Sequence, residues 1–211
     1  MRPGVGNWWF ARVSGDGDHA RLIAVQSDAH PDGTQVDLDA AEAAGGVAGS
    51  ICTVELDDGK VRALVLAESV APNAPPLWFA EIRESSARPP ATNLLAFSGH
   101  DQPAGCLLDD ADLSNVNLGA DDQLGAVRWY PVSGIVNQVY VAPEWRRRGI
   151  GTALITAAGV LSVARDWSRL WGQGQRTALG EEFRNNANWW HRAEDLTHLA
   201  PPMTPADTGA S

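Results

Sequence analysis

Val139-Tyr140-Val141-Ala142-Pro143-Glu144-Trp145-Arg146-Arg147-Arg148-Gly149-Ile150-Gly151-Thr152-Ala153-Leu154 is the stretch on which the reading of this chain turns. A β-branched and aromatic run stops at a proline, three arginines and two alternate glycines follow, and a hydroxyl residue opens a helical pattern. The first N–H groups of a helix have no carbonyl partner and carry partial positive charge, so an anion placed there satisfies them. Gly149 and Gly151 keep Cβ atoms out of the way of such an anion, and Arg146, Arg147 and Arg148 add charge. The chemistry points to a phosphate cradle. A solvated basic turn is the alternative for the arginines taken alone, and only strand, arginines, glycine spacing and helix together favour the cradle.

Working outward, Leu124 to Tyr130 and Ile135 to Ala142 read as two strands joined by Pro131-Val132-Ser133-Gly134. Downstream, Thr152 to Ala164 carries apolar residues at 153, 154, 157, 160, 161 and 164, which predicts an amphipathic helix. Arg169 to Gly172 is a short strand candidate, and a last helix is predicted from about Thr177 to about Leu196. Upstream, Trp8 to Val13, Arg21 to Gln26 and Leu77 to Arg83 read as strands. Ser50 to Leu56 and Lys60 to Ala67 read as a hairpin around Asp57-Asp58-Gly59. Asp39 to Ala44 suits a short helix capped by Asp37 or Asp39 and stopped by Gly45-Gly46.

Several phosphate loops share these ingredients. A Walker loop needs a lysine after its second glycine, and the only lysine here is Lys60. A dinucleotide fingerprint needs Gly or Ala where Leu154 stands. The remaining pattern, Arg-x-x-Gly-x-Gly directly after a Val-x-Pro strand end, resembles the acyl-coenzyme A loop of the GNAT superfamily of N-acyltransferases. The resemblance covers Leu124 to Ala164 and extends weakly to the last helix.

It implies an α/β (α+β) fold with a GNAT-like mixed central sheet, helices on both faces and a V-shaped opening between two parallel strands. It also implies acetyl-CoA, or another acyl-CoA, as cosubstrate, with no metal. By offset, Val139 and Val141 would meet the pantetheine arm through their backbone, the N–H of Val139 polarising the thioester carbonyl. Arg146, Arg147, Arg148, Gly149, Gly151 and Thr152 would hold the pyrophosphate, with Gly149 the least tolerant of substitution. Many members carry a carboxylate on the strand before the loop and a tyrosine acid on the last helix. The matching positions here are Asn137, with Gln138 beside it, and Phe183. Three readings follow: proton loss through water, a base from elsewhere (Glu81, Glu181 or His191), or a degenerate coenzyme-binding or scaffold protein.

Composition sets the frame. The chain has 211 residues and a formal charge of -10, which disfavours general nucleic-acid binding and mildly favours a cationic acceptor. The acceptor class is therefore an amine-bearing small molecule or a protein amino group, with a homodimer left open. No apolar run approaches the roughly 20 residues of a membrane span, no secretory leader is evident, and Cys52 and Cys106 stand alone, so a soluble, cytoplasmic protein is expected. Residues 1–70 read as a β-rich N-terminal extension that either completes the sheet or supplies the acceptor side, 71–199 as the acyltransferase domain and 200–211 as a disordered tail. Asp109 to Asp122, with five aspartates, reads as a solvated acidic loop rather than a calcium site. The doublets Trp8-Trp9 and Trp189-Trp190 read as core or interface packing, the alternative being a pocket for an apolar or cationic group.

Overall fold

The computed structural model describes residues 7–15, 18–99, 101–116, 118–186 and 193–200. In chain order the N-terminal part contains β1 (Trp8–Ser14), β2 (His19–Gln26), β3 (Gln35–Leu38), α1 (Ala40–Ala44), β4 (Ser50–Asp57) and β5 (Lys60–Leu66). Then come β6 (Leu77–Glu84), β7 (Ala91–Ser98), β8 (Leu107–Leu108), α2 (Asp110–Leu113), β9 (Gln123–Trp129), β10 (Ile135–Val141) and α3 (Ile150–Ala164). The described chain ends with β11 (Trp171–Gly172), β12 (Gln175–Arg176), α4 (Ala178–Asn186) and β13 (His198–Leu199).

Local chemistry sets many of these elements. The β4–β5 hairpin pairs Asp57 with Lys60, leaving Asp58 and Gly59 at φ of 49° and 66° in its two-residue turn. Two consecutive left-handed residues suit the right-handed strand twist. Asp39, not Asp37, caps α1, accepting from the Glu42 N–H at 2.7 Å while the Glu42 carboxylate accepts from the Asp39 N–H at 3.0 Å. Thr177 caps α4 through its hydroxyl, which accepts from the Gly180 N–H at 3.0 Å.

β3-β1-β2-β4-β5 form one five-stranded sheet and β11-β10-β9-β7-β6-β8 a six-stranded mixed sheet. They meet edge to edge, because the Leu64 N–H of β5 donates to the Gly105 carbonyl at 2.7 Å and the Gly105 N–H donates to the Leu77 carbonyl of β6 at 2.7 Å. The joined sheets wrap around α3, and the far seam is closed by Arg169 on Asp32 at 2.8 Å and 3.1 Å. The described residues of the N-terminal sheet roof α3.

That roof changes the reading of α3. An amphipathic helix has one wet face, yet Ala153 through Val163 are all buried, as is Ile150. Small residues make this feasible: a Cβ on Gly159 would sit 3.4 Å from the Trp8 ring. Trp8 packs into this principal core and Trp9 into a second one on the other face of the N-terminal sheet, so both are packing residues. Among the described residues, the opposite face of the six-stranded sheet carries the four-residue α2 and its flanking loop.

Three expectations change. β7 is a central strand that the sequence reading omitted, since Ala91, Thr92, Leu94, Ala96 and Phe97 are buried and leave little alternation to see. The strand expected over Arg169 to Gly172 shrinks to Trp171–Gly172. The last helix stops at Asn186 within the described residues, and 193–196 are not helical, because the Glu194 N–H bonds the Gly172 carbonyl at 2.9 Å beside β11. Trp189, Trp190, His191 and the tail beyond Ala200 lie outside the described residues. No helix among the described residues is long and apolar enough to cross a membrane.

Candidate functional site

β10 and β11 run parallel but pair only at Ile135 with Trp171 and Val136 with Gly172. Beyond Gly172 the chain leaves β10, and Gln175 and Arg176 pair with β13 instead. Among the described residues, 137–141 of β10 therefore keep β9 on one side and no strand on the other, which leaves a V-shaped opening.

Asn137 is the extra residue of a β-bulge, since Val136 opposes Trp129 while Gln138 opposes the next residue, Arg128. The bulge resets the strand's phase. Val136 before it and Val139 and Val141 after it all pack toward α3, three residues apart where plain alternation would allow two. The Ala142 N–H donates to the Leu124 carbonyl at 2.9 Å, and the Tyr140 carbonyl faces Gly125, where an added Cβ would lie 2.6 Å from it. Backbone groups alternate along a strand, so those of Val139 and Val141 point away from β9, into the opening.

After β10, a 3₁₀ turn at Pro143–Trp145 leads into the loop. Arg147 at φ 65° and Gly149 at φ 84° are both left-handed and swing the chain onto the axis of α3. The first intrahelical bond runs from the Ala153 N–H to the Gly149 carbonyl at 2.9 Å. The N–H groups of Ile150, Gly151 and Thr152 thus precede the helical ladder. The three arginines diverge. Arg146 Nε donates to the Val141 carbonyl at 3.2 Å, Arg147 pairs with Glu182 of α4 at 2.6 Å, and Arg148 stacks over the Trp145 ring at 4.7 Å. Arg147 holds the Glu182 carboxyl below its ordinary value, and Glu182 raises Arg147 in return.

Both loop glycines are covered closely. A Cβ on Gly149 would lie 3.0 Å from Ala71 Cβ, and one on Gly151 would lie 3.2 Å from the Phe183 ring. Ala71 belongs to the segment joining the two sheets, and no sequence signal marks it. Phe183 thus packs on the loop.

Of the described acid-base candidates, Glu81 does not reach the opening. Glu81 opposes Leu94, Leu94 opposes Val127 and Val127 opposes Val139, so Glu81 is three strand spacings, about 14 Å, from Val139. Its carboxylate is buried, forked by Arg165 at 2.5 Å on each oxygen and contacted by Arg83 at 3.0 Å. Burial pushes the Glu81 carboxyl up, and Arg83 opposes that. Glu181 is held by Arg176 at 2.7 Å. His191 is outside the described residues.

At the bulge stands an arginine that the sequence reading missed. Arg128 donates to Asn137 Oδ1 at 2.9 Å and to the Tyr130 hydroxyl at 3.3 Å, and pairs with Glu84 at 2.8 Å. Hydrogen bonds from Arg128 and Asn93 pull the Glu84 carboxyl down to about 2, and Glu84 raises Arg128. Glu84 is therefore a fixed anion, unsuited to take a proton near neutral pH. Among the described residues no three His, Cys, Asp or Glu side chains gather to hold a metal.

Neither the curated proteins nor the solved structures yield a match to this chain. The family described as Acetyltransferase (GNAT) domain matches residues 112–192, about two fifths of the chain. The matched span contains β9, the bulged β10, the arginine-glycine loop, α3 and β11. Over that span the chain is similar to the GNAT acetyltransferase domain.

Proposed function

We propose that this protein is an N-acyltransferase that moves an acetyl group from acetyl-CoA to an amine by direct attack, working in the cytoplasm. One observation carries the reading: the open edge of β10, with the backbone of Val139 and Val141 facing outward, leads to the ladder-free N–H groups at the start of α3. An extended amide-bearing arm pairs with such an edge as an added strand does. A pyrophosphate suits the far end, where Ile150, Gly151 and Thr152 present N–H groups and Gly149 and Gly151 leave room. Arg146, Arg147 and Arg148 surround that end, and Arg147 exchanges Glu182 for phosphate. The acetyl-CoA supplies the activated thioester.

The chain's own contribution is positioning and polarisation. The Val139 N–H donates to the thioester carbonyl and strengthens its bond as negative charge gathers on that oxygen. The nitrogen forms the new C–N bond, the C–S bond breaks, the amine proton leaves through water, and the thiolate takes a proton from water. Holding amine and thioester together is the larger part of such catalysis. Asn137, held by Arg128, replaces the carboxylate common in the family.

Calorimetric titration of acetyl-CoA into wild type and Gly149→Trp, followed by thiol release over an amine panel, tests this. Binding to wild type alone, with turnover, supports the transferase. Absence of binding to wild type overturns it. Because Asn137 and Phe183 offer no ionisable group, a second reading, a coenzyme-binding scaffold without chemistry, is the outcome if binding occurs without thiol release.

A further inference from the structure

α4 has little to hold it by itself. Its nine residues fall short of the roughly 12 at which a helix begins to persist alone in water, and none of them is buried. Charge pairs fasten it. Arg176 meets Glu181 at 2.7 Å and Arg184 meets Asp195 at 3.3 Å, which tie α4 to β12 and to the segment before β13. Two adjacent residues reach the arginine-glycine loop. The Glu182 carboxylate accepts from Arg147 Nη2 at 2.6 Å, and the Phe183 ring lies 3.2 Å from where a Cβ on Gly151 would stand.

The two contacts differ in kind. Phe183 packs against the principal core, a contact that water favours. Arg147 and Glu182 are 68% and 45% exposed and touch through one nitrogen and one oxygen, so water and salt screen the pair. A phosphate offers the same guanidinium two oxygens and more charge, matching its planar fork. Glu182 is therefore displaced by a phosphate rather than holding against it, and while it stays its own charge repels one.

We infer that α4 is a strap across the loop and that Glu182 is its releasable tie, a built-in competitor that sets the affinity for the coenzyme. Without coenzyme, Glu182 occupies Arg147. When a pyrophosphate oxygen takes Arg147, α4 loses that tie and opens more often, still resting on Gly151 through Phe183. The inference rests on the transferase reading for the identity of the ligand, but the tie and its weakness stand without it.

The test is calorimetric titration of acetyl-CoA into the full chain as wild type, Glu182→Gln, Arg147→Gln and the double variant, with hydrogen exchange of the α4 amides measured alongside. Both substitutions are at exposed side chains. Glu182→Gln binds acetyl-CoA about two- to fivefold more tightly than wild type, and the same change made in Arg147→Gln shifts affinity by less than about 1.5-fold. The α4 amides exchange at least about threefold faster in free Glu182→Gln than in free wild type, and saturating acetyl-CoA speeds them in wild type. Equal or weaker binding by Glu182→Gln, or a gain that persists without Arg147, overturns the inference and leaves the transferase reading in place. So does α4 exchange that the substitution leaves unchanged or that acetyl-CoA slows. If acetyl-CoA does not bind wild type, the transferase reading fails, and inorganic pyrophosphate is titrated into the same four proteins. The same pattern of affinities then upholds the tie, and absence of pyrophosphate binding overturns it as well.

Discussion

Ala71 Cβ lies 3.0 Å from the point where a Cβ on Gly149 would stand, so the segment joining the two sheets rests directly on the left-handed residue that opens α3. The arginine-glycine loop is thereby shaped by a residue nearly eighty positions upstream, in the part of the chain outside the family match.

Gly149→Ala pays twice, through its φ of 84° and through contact with Ala71. The expected loss of unfolding free energy in urea exceeds about 1 kcal/mol. Adding Ala71→Gly restores the contact part and leaves the conformational part, so the double variant recovers only a fraction. Full recovery would show that φ at 149 is free to change.

Glu81 serves the fold. Removing its charge with Glu81→Gln leaves Arg165 without its carboxylate at a buried site, and about 3 kcal/mol of stability is expected to go. The specific activity of the folded fraction remains within about twofold of wild type. A loss of kcat in folded protein would reinstate Glu81 as a catalytic group.

Glu84 makes stability depend on acid. Its folded value of about 2 lies below the ordinary 4.5, so its bonds to Arg128 and Asn93 favour the charged form. That stabilisation is complete above about pH 4.5 and disappears as pH falls toward 2. The stability gap between wild type and Glu84→Gln should be constant from pH 7 to 5 and close below 4.5. A gap that widens on acidification would contradict the pairing.

The two thiols should separate on alkylation. Burial pushes Cys52 up to about 12, and Cys106 is raised by the same cause but is only half-buried, its thiol donating to Gln102 Oε1 at 3.7 Å. With iodoacetamide at pH 8, mass spectrometry of native protein should find Cys106 modified first and Cys52 protected until unfolding.

Restoring a carboxylate at the bulge should not restore a base. In Asn137→Glu the new group faces Arg128, which favours its charged form and lowers its proton affinity. We expect thiol release at pH 7 to stay within about threefold of wild type. A tenfold gain with a new pH dependence would show that Arg128 turns away.

Much of the site was legible because its signals are local. The proline after Val141, the alternate glycines and the hydroxyl at Thr152 mark a strand, a loop and a helix within sixteen residues, and backbone conformation there depends on near neighbours. The β4–β5 turn and the Asp39 cap were legible for the same reason. The bulge left a trace in the three-residue step from Val136 to Val139, which strict alternation does not produce. The end of α4 was not legible, because the pairing of 193–194 with β11 outweighs a helical pattern in the sequence.

By itself the sequence determined the strand-loop-helix cradle, the anionic run from Asp101 to Asp122 and the absence of an ionisable group at 137 and 183. Tertiary structure alone decided that α3 is buried all round, that Ala71 and Phe183 cover the loop glycines, and that Arg128 claims Asn137 and Glu84. The division has a physical cause. Turns, caps and charge runs are properties of adjacent residues, whereas these contacts join residues tens of positions apart, which only closure of the two sheets around α3 brings within reach.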